Sequence, residues 1–356
     1  MDSLHKQYST SVNDKSPYAI KVRDLGKKYG EFNAVDGISF DAYPHEIFGF
    51  LGSNGAGKTT TIKCIMTLTK PSEGSIEVFG INALTDPDRV RQNIGYVPQS
   101  LSLVSELSGY ENLLIYSKLY GVPKDKRNKN IHHILELLGI SERADDEVRK
   151  YSGGMMRRLE IGTAIVHNPP LIILDEPTIG LDPKGRHTVW DVLRRLVHEL
   201  GTTIFMTTHD MSEADELCDR IAIINHGKIS VIDTPSNLKS SVVGHEGEAG
   251  GQVVTIKTLD PTVAVSVLER KLGIKAQVTD KQSLRIVMKD VESSFSALIT
   301  TLVKAGIEME SINVQKPTLD DVFLKYAGTR TNEEAESQEE GWKNIRDVRR
   351  TFKQMG

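Results

Sequence analysis

Residues 18–240 predict an α/β fold with a largely parallel core sheet, and a smaller α+β unit is expected to follow. Three observations carry this expectation. Short β-rich runs alternate with helical patterns from Tyr18 to about Ser240, as in a sheet whose parallel strands are joined by helices. The run Leu171–Leu174 is apolar throughout, as suits a strand covered on both faces. Beyond Gly251 the order changes to strand-helix-strand-strand-helix-strand, which is the ferredoxin-like pattern.

Strands are expected at Ala19–Val22, Ile47–Leu51, Ile76–Val78, Ile94–Val97, Leu171–Leu174, Thr203–Thr207 and Ile221–Asn225, after an N-terminal arm over 1–17. Gly244, Gly247, Gly250 and Gly251 sit among polar residues, so 241–252 reads as a linker. An accessory domain over 253–328 opens with a strand at Val253–Lys257 and a helix at Thr262–Leu272, spaced through Val263, Val267 and Leu268. Strands at Ile274–Val278 and Leu284–Met288 are separated by the turn residues Asp280 to Ser283. A helix at Val291–Lys304, through Phe295, Leu298, Ile299 and Leu302, precedes a last strand at Glu308–Val314. The tail over 329–356 opens with Glu333, Glu334, Glu336, Glu339 and Glu340, then carries Trp342, Ile345, Val348 and Phe352 on one helical stripe. A tail helix packed on its own domain is the favoured reading there, ahead of a docking helix.

A chain of 356 residues exceeds one ordinary domain. Its 38% hydrophobic and 26% charged composition is that of a soluble globular protein. A net charge of -4 lacks the basic excess of a nucleic-acid binder, so no nucleic-acid partner is expected. No apolar run is long enough to cross a bilayer. Pro170–Leu174 stops at Asp175 and Glu176, and Met1–Pro17 is polar with no signal-peptide core. The expectation is a cytoplasmic chain that reaches a membrane only through a partner. Cys64 and Cys218 have no metal-ligand spacing and read as buried thiols in a reducing compartment.

Gly52-Ser53-Asn54-Gly55-Ala56-Gly57-Lys58-Thr59 fits the phosphate-loop pattern and lies between a strand and the helical run Thr60–Met66. The glycines let successive N–H groups point at phosphates, and the following helix adds its positive end. Lys58 is placed to reach the β- and γ-phosphates, Thr59 to coordinate Mg²⁺, and Thr60 to donate to a phosphate oxygen. A Gly-rich turn that binds nothing is the competing reading, and the Lys-Thr pair with its flanking elements weighs against it. By itself the loop predicts a P-loop NTPase and does not separate kinases, GTPases and transport ATPases. Asp175 and Glu176 end the buried strand. Asp175 is expected to hold the metal, and Glu176 to deprotonate the attacking water.

Tyr151-Ser152-Gly153-Gly154-Met155 resembles the signature motif of ATP-binding cassette (ABC) proteins, departing from LSGGQ at Tyr151 and Met155. Arg157 and Arg158 follow on the same helix. A helix start with Ser152, Gly153 and Gly154 is an anion site. The resemblance implies that it receives the γ-phosphate of an opposing subunit, so that two MgATP are buried in a head-to-tail dimer. Further markers follow in order over about Tyr18 to Pro235. Gln99 resembles the Q-loop glutamine, implying contact with Mg²⁺ or water and sensing of a transmembrane partner. Gly180-Leu181-Asp182-Pro183 resembles the D-loop, which crosses the dimer interface. His209 resembles the switch histidine at the γ-phosphate, and Tyr29 the aromatic residue stacked on adenine. A helical subdomain over about 100–165, including Tyr110–Tyr120 and Ile131–Leu138, is implied to receive coupling helices of the membrane subunit.

Pro317-Thr318-Leu319-Asp320-Asp321-Val322-Phe323-Leu324 resembles the close of the C-terminal extension in daunorubicin-resistance-type export ATPases. That resemblance implies a P-loop NTPase cassette on the cytoplasmic face of a membrane, a separate transmembrane permease, and export of a hydrophobic drug, lipid or glycan, the choice among them being open. A second copy of the chain is the expected other ATPase subunit, since one chain supplies every motif of the site; a homodimer is sufficient but not required. A soluble cassette ATPase of translation or DNA repair is the alternative. One phosphate loop, one signature and no sustained heptads argue against it. Glu176 and His209 argue against a regulatory module without turnover.

Overall fold

A computed structural model of the chain describes residues 16–242, 252–288 and 291–327. The tail expected over 329–356, the arm before residue 16 and the linker over 243–251 lie outside the described residues. Packing divides the chain into two units, the first ending at Ile232 and the second opening at Asp233.

The first unit opens with β1 (Ile20–Tyr29), β2 (Phe32–Ala42), β3 (Ile47–Leu51), α1 (Lys58–Ile65), β4 (Glu73–Val78), β5 (Ile81–Asn82), α2 (Pro87–Gln92) and β6 (Ile94–Val97). It continues through α3 (Gly109–Leu119), α4 (Lys124–Leu137), α5 (Gly153–Ile165), β7 (Leu171–Asp175), α6 (Pro183–Leu200), β8 (Thr203–Thr208), α7 (Met211–Leu217), β9 (Arg220–Asn225) and β10 (Lys228–Asp233). Two sheets result. One is antiparallel in the order β2-β1-β4-β5. The other runs β10-β9-β3-β8-β7-β6, and its β9-β3-β8-β7-β6 pairings are parallel.

Every residue of β3 and β7 is buried, the condition that made both legible as apolar runs. Phe40 of the antiparallel sheet stacks on Phe48 of β3 and Phe205 of β8, with centroids 5.6 and 5.8 Å away. These rings join the two sheets through large apolar area in offset contact. The loop before α3 closes with a capping box. The Ser108 hydroxyl accepts from the Glu111 N–H, and the Glu111 carboxylate accepts from the Ser108 N–H.

β2, β5 and β10 carry no strand signal in the sequence reading, and β1 runs on to Tyr29 rather than stopping near Val22. The physical reason lies in the ladder. The β1–β2 pairing shifts register after Val22, Leu25 and Lys27. Each irregularity resets the alternation of faces, so Asp24, Asp36 and Gly37 interrupt what would otherwise read as apolar-polar alternation.

The second unit holds α8 (Pro235–Ser241), β11 (Gln252–Thr258), α9 (Pro261–Leu272), β12 (Ala276–Asp280), β13 (Ser283–Met288), α10 (Val291–Lys304), β14 (Met309–Gln315) and α11 (Leu319–Ala327). Its antiparallel sheet has the order β12-β13-β11-β14. That is the split βαβ arrangement of a ferredoxin-like domain, as the element order predicts. Val254, Ile256, Leu284 and Ile286 form the core with Leu268, Leu298 and Leu302. Arg285, between Leu284 and Ile286, points to the other face and pairs with Asp321 of α11. Ser241 of α8 meets Tyr326 of α11 at 3.2 Å, so α8 groups with the second unit although composition alone placed the domain boundary after Ser240.

Among the described residues no helix is long and apolar enough to cross a membrane. Cys64 and Cys218 are both buried. Burial pushes the Cys64 thiol up to about 11 and the Cys218 thiol well above its ordinary value. Both thiols therefore stay protonated and unreactive at pH 8. A thiol-specific chromogenic reagent is expected to detect neither in the folded protein and both after denaturation. Prompt labelling of the native chain would contradict this burial.

Candidate nucleotide-hydrolysis site

The site forms where the parallel strands end. β3 stops at Leu51, and the loop of residues 52–57 leads straight into α1. Only glycine fits two of its positions. A Cβ at Gly52 would lie 2.5 Å from the Ile224 carbonyl oxygen, and one at Gly57, whose φ is 110°, would lie 2.6 Å from that of Ala34. No side chain caps α1, which leaves its first N–H groups directed into the loop, the arrangement that binds phosphate. Lys58 is buried and folds along this loop, its ammonium donating to the carbonyls of Gly52 at 2.7 Å and Ser53 at 3.2 Å. Burial lowers the Lys58 pKa, opposed by the negative charges of Glu176 and Asp175.

β7 delivers the two carboxylates. Asp175 Oδ1 accepts from the Thr207 hydroxyl at 2.6 Å, and Oδ2 accepts from the Thr59 hydroxyl at 3.1 Å. Thr207 therefore aims Asp175 at Thr59. Glu176 follows with φ 50°, a left-handed backbone that a non-glycine residue rarely adopts. Its N–H donates to the Thr207 carbonyl at 3.1 Å. The Glu176 carboxylate, only 9% exposed, is the centre of the cluster. Oε1 lies 3.1 Å from His209 Nδ1 and 3.6 Å from Lys58 Nζ, while Oε2 accepts from Gln99 Nε2 at 3.2 Å.

Six sequence-predicted residues thus meet: Lys58, Thr59, Gln99, Asp175, Glu176 and His209. Thr60 is buried in the first turn of α1. Ser53, Asn54, Gly55 and Ala56 complete the loop, with Ala56 donating its N–H to the Ser53 carbonyl at 3.2 Å. Ser152, Gly153 and Gly154 open α5. Ser152 is exposed and caps α5, its hydroxyl accepting from the Met155 N–H at 3.3 Å. The nearest neighbours to Cβ positions at Gly153 and Gly154 are Leu181 and Gly185. Asp182 is exposed and caps α6 through the Gly185 N–H at 3.3 Å. The signature and the D-loop segment therefore lie side by side in this chain. Tyr29 ends β1, half-buried, with the Lys27 ammonium 5.0 Å from its ring centroid.

Two residues that hold this geometry are Thr207, which the sequence does not mark, and Arg157, which the sequence places after the signature without a role. Arg157 is 4% exposed and donates only to backbone carbonyls around the site. Neighbouring Arg158 is half-buried and donates to the carbonyls of Leu138 and Gly139. Nothing in the pair of arginines as written distinguishes them.

Residues 35–179 match the ABC transporter family, and residues 247–327 match the C-terminal domain of DrrA1-3-like ATP-binding proteins. The chain is 36% identical to the daunorubicin/doxorubicin resistance ATP-binding protein DrrA of Streptomyces peucetius, over 92% of this chain and 99% of the relative. The chain belongs to the ABC transporter ATPases, in their daunorubicin-resistance-type group. The linearmycin resistance ATP-binding protein LnrL of Bacillus subtilis is 35% identical, over 87% of this chain and 98% of the relative. The Nod factor export ATP-binding protein I of Ralstonia nicotianae is 38% identical, over 87% and 94%. Among solved structures, cbiO1 from Clostridium perfringens, part of the ABC transporter complex cbiONQ, aligns with a TM-score of 0.59 at 26% identity, over 72% of this chain and 97% of its own. The dimeric structure of MJ0796, a bacterial ABC transporter cassette, aligns with a TM-score of 0.54 at 28% identity, over 60% and 98%. An ABC ATPase of this group binds and hydrolyses ATP as a transporter subunit. These relatives carry the names of resistance and export proteins, not of translation or repair factors.

Proposed function

We propose that the cluster around Glu176 hydrolyses MgATP between two cassettes arranged head to tail, and that this dimer drives export through a separate permease. The observation that carries the reading is the Glu176 carboxylate, shielded from water and held between Lys58, Gln99 and His209. Residues 52–60 cradle the phosphates, with Lys58 on the β- and γ-oxygens, and Tyr29 stacks on adenine. The Thr59 hydroxyl and Asp175 carboxylate, with the amide oxygen of Gln99, are the hard oxygen donors that suit Mg²⁺. When bound, that ion neutralises charge developing on the transferred phosphoryl group. Glu176 takes the proton from the attacking water. His209 orients that water against the γ-phosphate. The new P–O bond forms as the β–γ bridge breaks, and ADP and phosphate leave.

Ser152 and Gly153 are exposed and Gly154 is half-buried, with Leu181 and Gly185 of the D-loop segment next to the two glycines. Their exposure supports a role in closing the partner's site. Ser152→Arg is therefore expected to leave nucleotide binding by the monomer intact and to suppress hydrolysis about 100-fold. Equilibrium binding and phosphate release measure the two separately, and lost binding would put Ser152 in its own subunit's pocket.

Export follows from the names of the relatives, and the cargo would be a hydrophobic drug, lipid or glycan. The exposed apolar side chains Leu101, Val104, Ile115, Leu119 and Tyr120 on the helical subdomain support docking of a membrane subunit there. The chain would then sit on the cytoplasmic face of the membrane, and a homodimer suffices because one chain supplies every motif. Affinity purification from gently solubilised native membranes tests this. A stoichiometric multi-span protein is expected, and recovery with ribosomes or repair factors instead would sink the transport reading.

A further inference from the structure

We infer that Arg157 and Glu160, buried in α5, are positioning residues that set the Gln99–Glu176 pair, so that each signature helix governs its own subunit's hydrolysis step. The inference rests on the role proposed above for Glu176.

Arg157 gathers four backbone carbonyls onto one guanidinium. Nε donates to Pro177 O at 2.6 Å and Nη1 to Pro98 O at 2.6 Å. Nη2 donates to Glu176 O at 3.1 Å and Asp175 O at 3.3 Å. Three of these carbonyls are consecutive. In an extended strand successive carbonyls point to opposite sides, so one group can collect all three only where the chain turns. That turn is the left-handed backbone of Glu176, φ 50°. Such a conformation persists where its surroundings over-determine it. Here the N–H of Glu176 is held by Thr207, and its carbonyl by Arg157. With both ends of the residue fixed, the side chain is aimed at His209, Lys58 and Gln99.

The fourth carbonyl, Pro98, immediately precedes Gln99. On the far side of Gln99, Ser102 is held by the second buried charge of α5. The Glu160 carboxylate accepts from the Ser102 N–H at 3.1 Å and from its hydroxyl. Arg157 and Glu160 are 4% and 1% exposed and stand one helical turn apart. One face of the signature helix thus grips the segment before Gln99, the segment after it, and the turn that carries Glu176. Ser152 starts the same helix. A displacement of α5, whether by a nucleotide against Ser152 or by a partner on the helical subdomain, therefore moves both members of the hydrogen-bonded pair.

A lysine at 157 keeps the charge and loses the planar fork that reaches several acceptors at once. Arg157→Lys is expected to lower kcat about 100-fold, the scale of a misplaced base, with the dissociation constant for ATP changed by less than about threefold and the melting temperature close to the parent's. Because Arg157 acts partly through Gln99, the same substitution in a Gln99→Ala background costs less than it does alone. A merely structural arginine would lower stability and binding together and would multiply with Gln99→Ala. Parent-like kcat in Arg157→Lys, or fully multiplicative losses, overturns the inference. Should Arg157→Lys fail to fold, Glu160→Gln takes its place, with the same split between kcat and binding expected and parent-like kcat again overturning it. The base assignment is tested apart from this: parent-rate turnover by Glu176→Gln would remove Glu176 as the base and leave the Arg157 and Glu160 measurements to be read by themselves.

Discussion

Glu176→Gln lowers ATP turnover about 10²–10⁴-fold while ATP binding survives, and the variant accumulates as an ATP-bound dimer. Glutamine has the shape of glutamate and can still meet Gln99 and His209, which stand 3.2 and 3.1 Å from the carboxylate. What it cannot do is take a proton from water. Binding is expected to survive because the proposed phosphate cradle is built from the backbone of residues 52–58, which this substitution does not touch. Removing a negative charge 3.6 Å from the Lys58 ammonium also frees that ammonium for phosphate. On the proposed head-to-tail arrangement, dimers then persist because the step that would break the phosphate-bridged interface is blocked. Phosphate release and light scattering with and without ATP check both halves. Turnover at the parent rate would place the base elsewhere. A variant that neither binds ATP nor dimerises would instead show that the Lys58–Glu176 contact is needed to shape the loop.

Asp321→Ala is expected to destabilise the second unit by about 3–5 kcal/mol, the cost of removing one partner of a buried ion pair. The Arg285 and Asp321 side chains are 10% and 5% exposed. Asp321 also accepts from the Thr318 N–H at 2.6 Å, closing the first turn of α11. Alanine strands the guanidinium on a sheet face with neither charge partner nor water, and it opens the helix start. Replacing both partners, as in Arg285→Met with Asp321→Leu, is expected to recover most of the loss, since no charge is then buried. Denaturant unfolding followed by hydrogen exchange in β13 and α11 measures this. A loss below about 1 kcal/mol for Asp321→Ala would place the pair among those worth little because solvent reaches them. The Asp320-Asp321 doublet is thereby resolved into two different roles: Asp320 is exposed, and Asp321 is a buried anchor.

The residues that meet at Glu176 were legible in part because the hydrolysis proposed for them asks for particular residues at fixed spacing. A glycine loop must precede a helix, and an acidic pair must end a buried strand. Those requirements are local, so Lys58, Thr59, Asp175 and Glu176 could be read along the chain. Gln99, His209 and the signature were recognised only by resemblance, because a single glutamine or histidine carries no local pattern. Arg157 escaped both routes. Its partners are four carbonyls contributed by two distant loops, and carbonyls are the same at every residue.

Strand assignments divide in the same way. β3 and β7 are covered on both faces and announce themselves as apolar runs. β1 and β2 break register three times, so their alternation dissolves into what looks like a loop. In the second unit the β-α-β-β-α-β order followed from alternating periods of two and 3.6 residues. The strand at β12 nevertheless begins at Ala276 rather than Ile274, because Gly273 closes α9 in a left-handed turn that the next residues must complete.

By itself, then, the sequence determined the fold class, and it displayed the phosphate-loop pattern and the acidic pair at the end of a buried strand, since each depends on short-range chemistry written into neighbouring residues. Tertiary structure alone decided that α8 belongs with the second unit, that Asp321 is buried against Arg285, and that α5 bonds the backbone on both sides of Gln99 and at Glu176 through Arg157 and Glu160. Those outcomes depend on which backbone groups and charges from separate elements come within hydrogen-bond distance, and that is settled only when the sheets and helices pack.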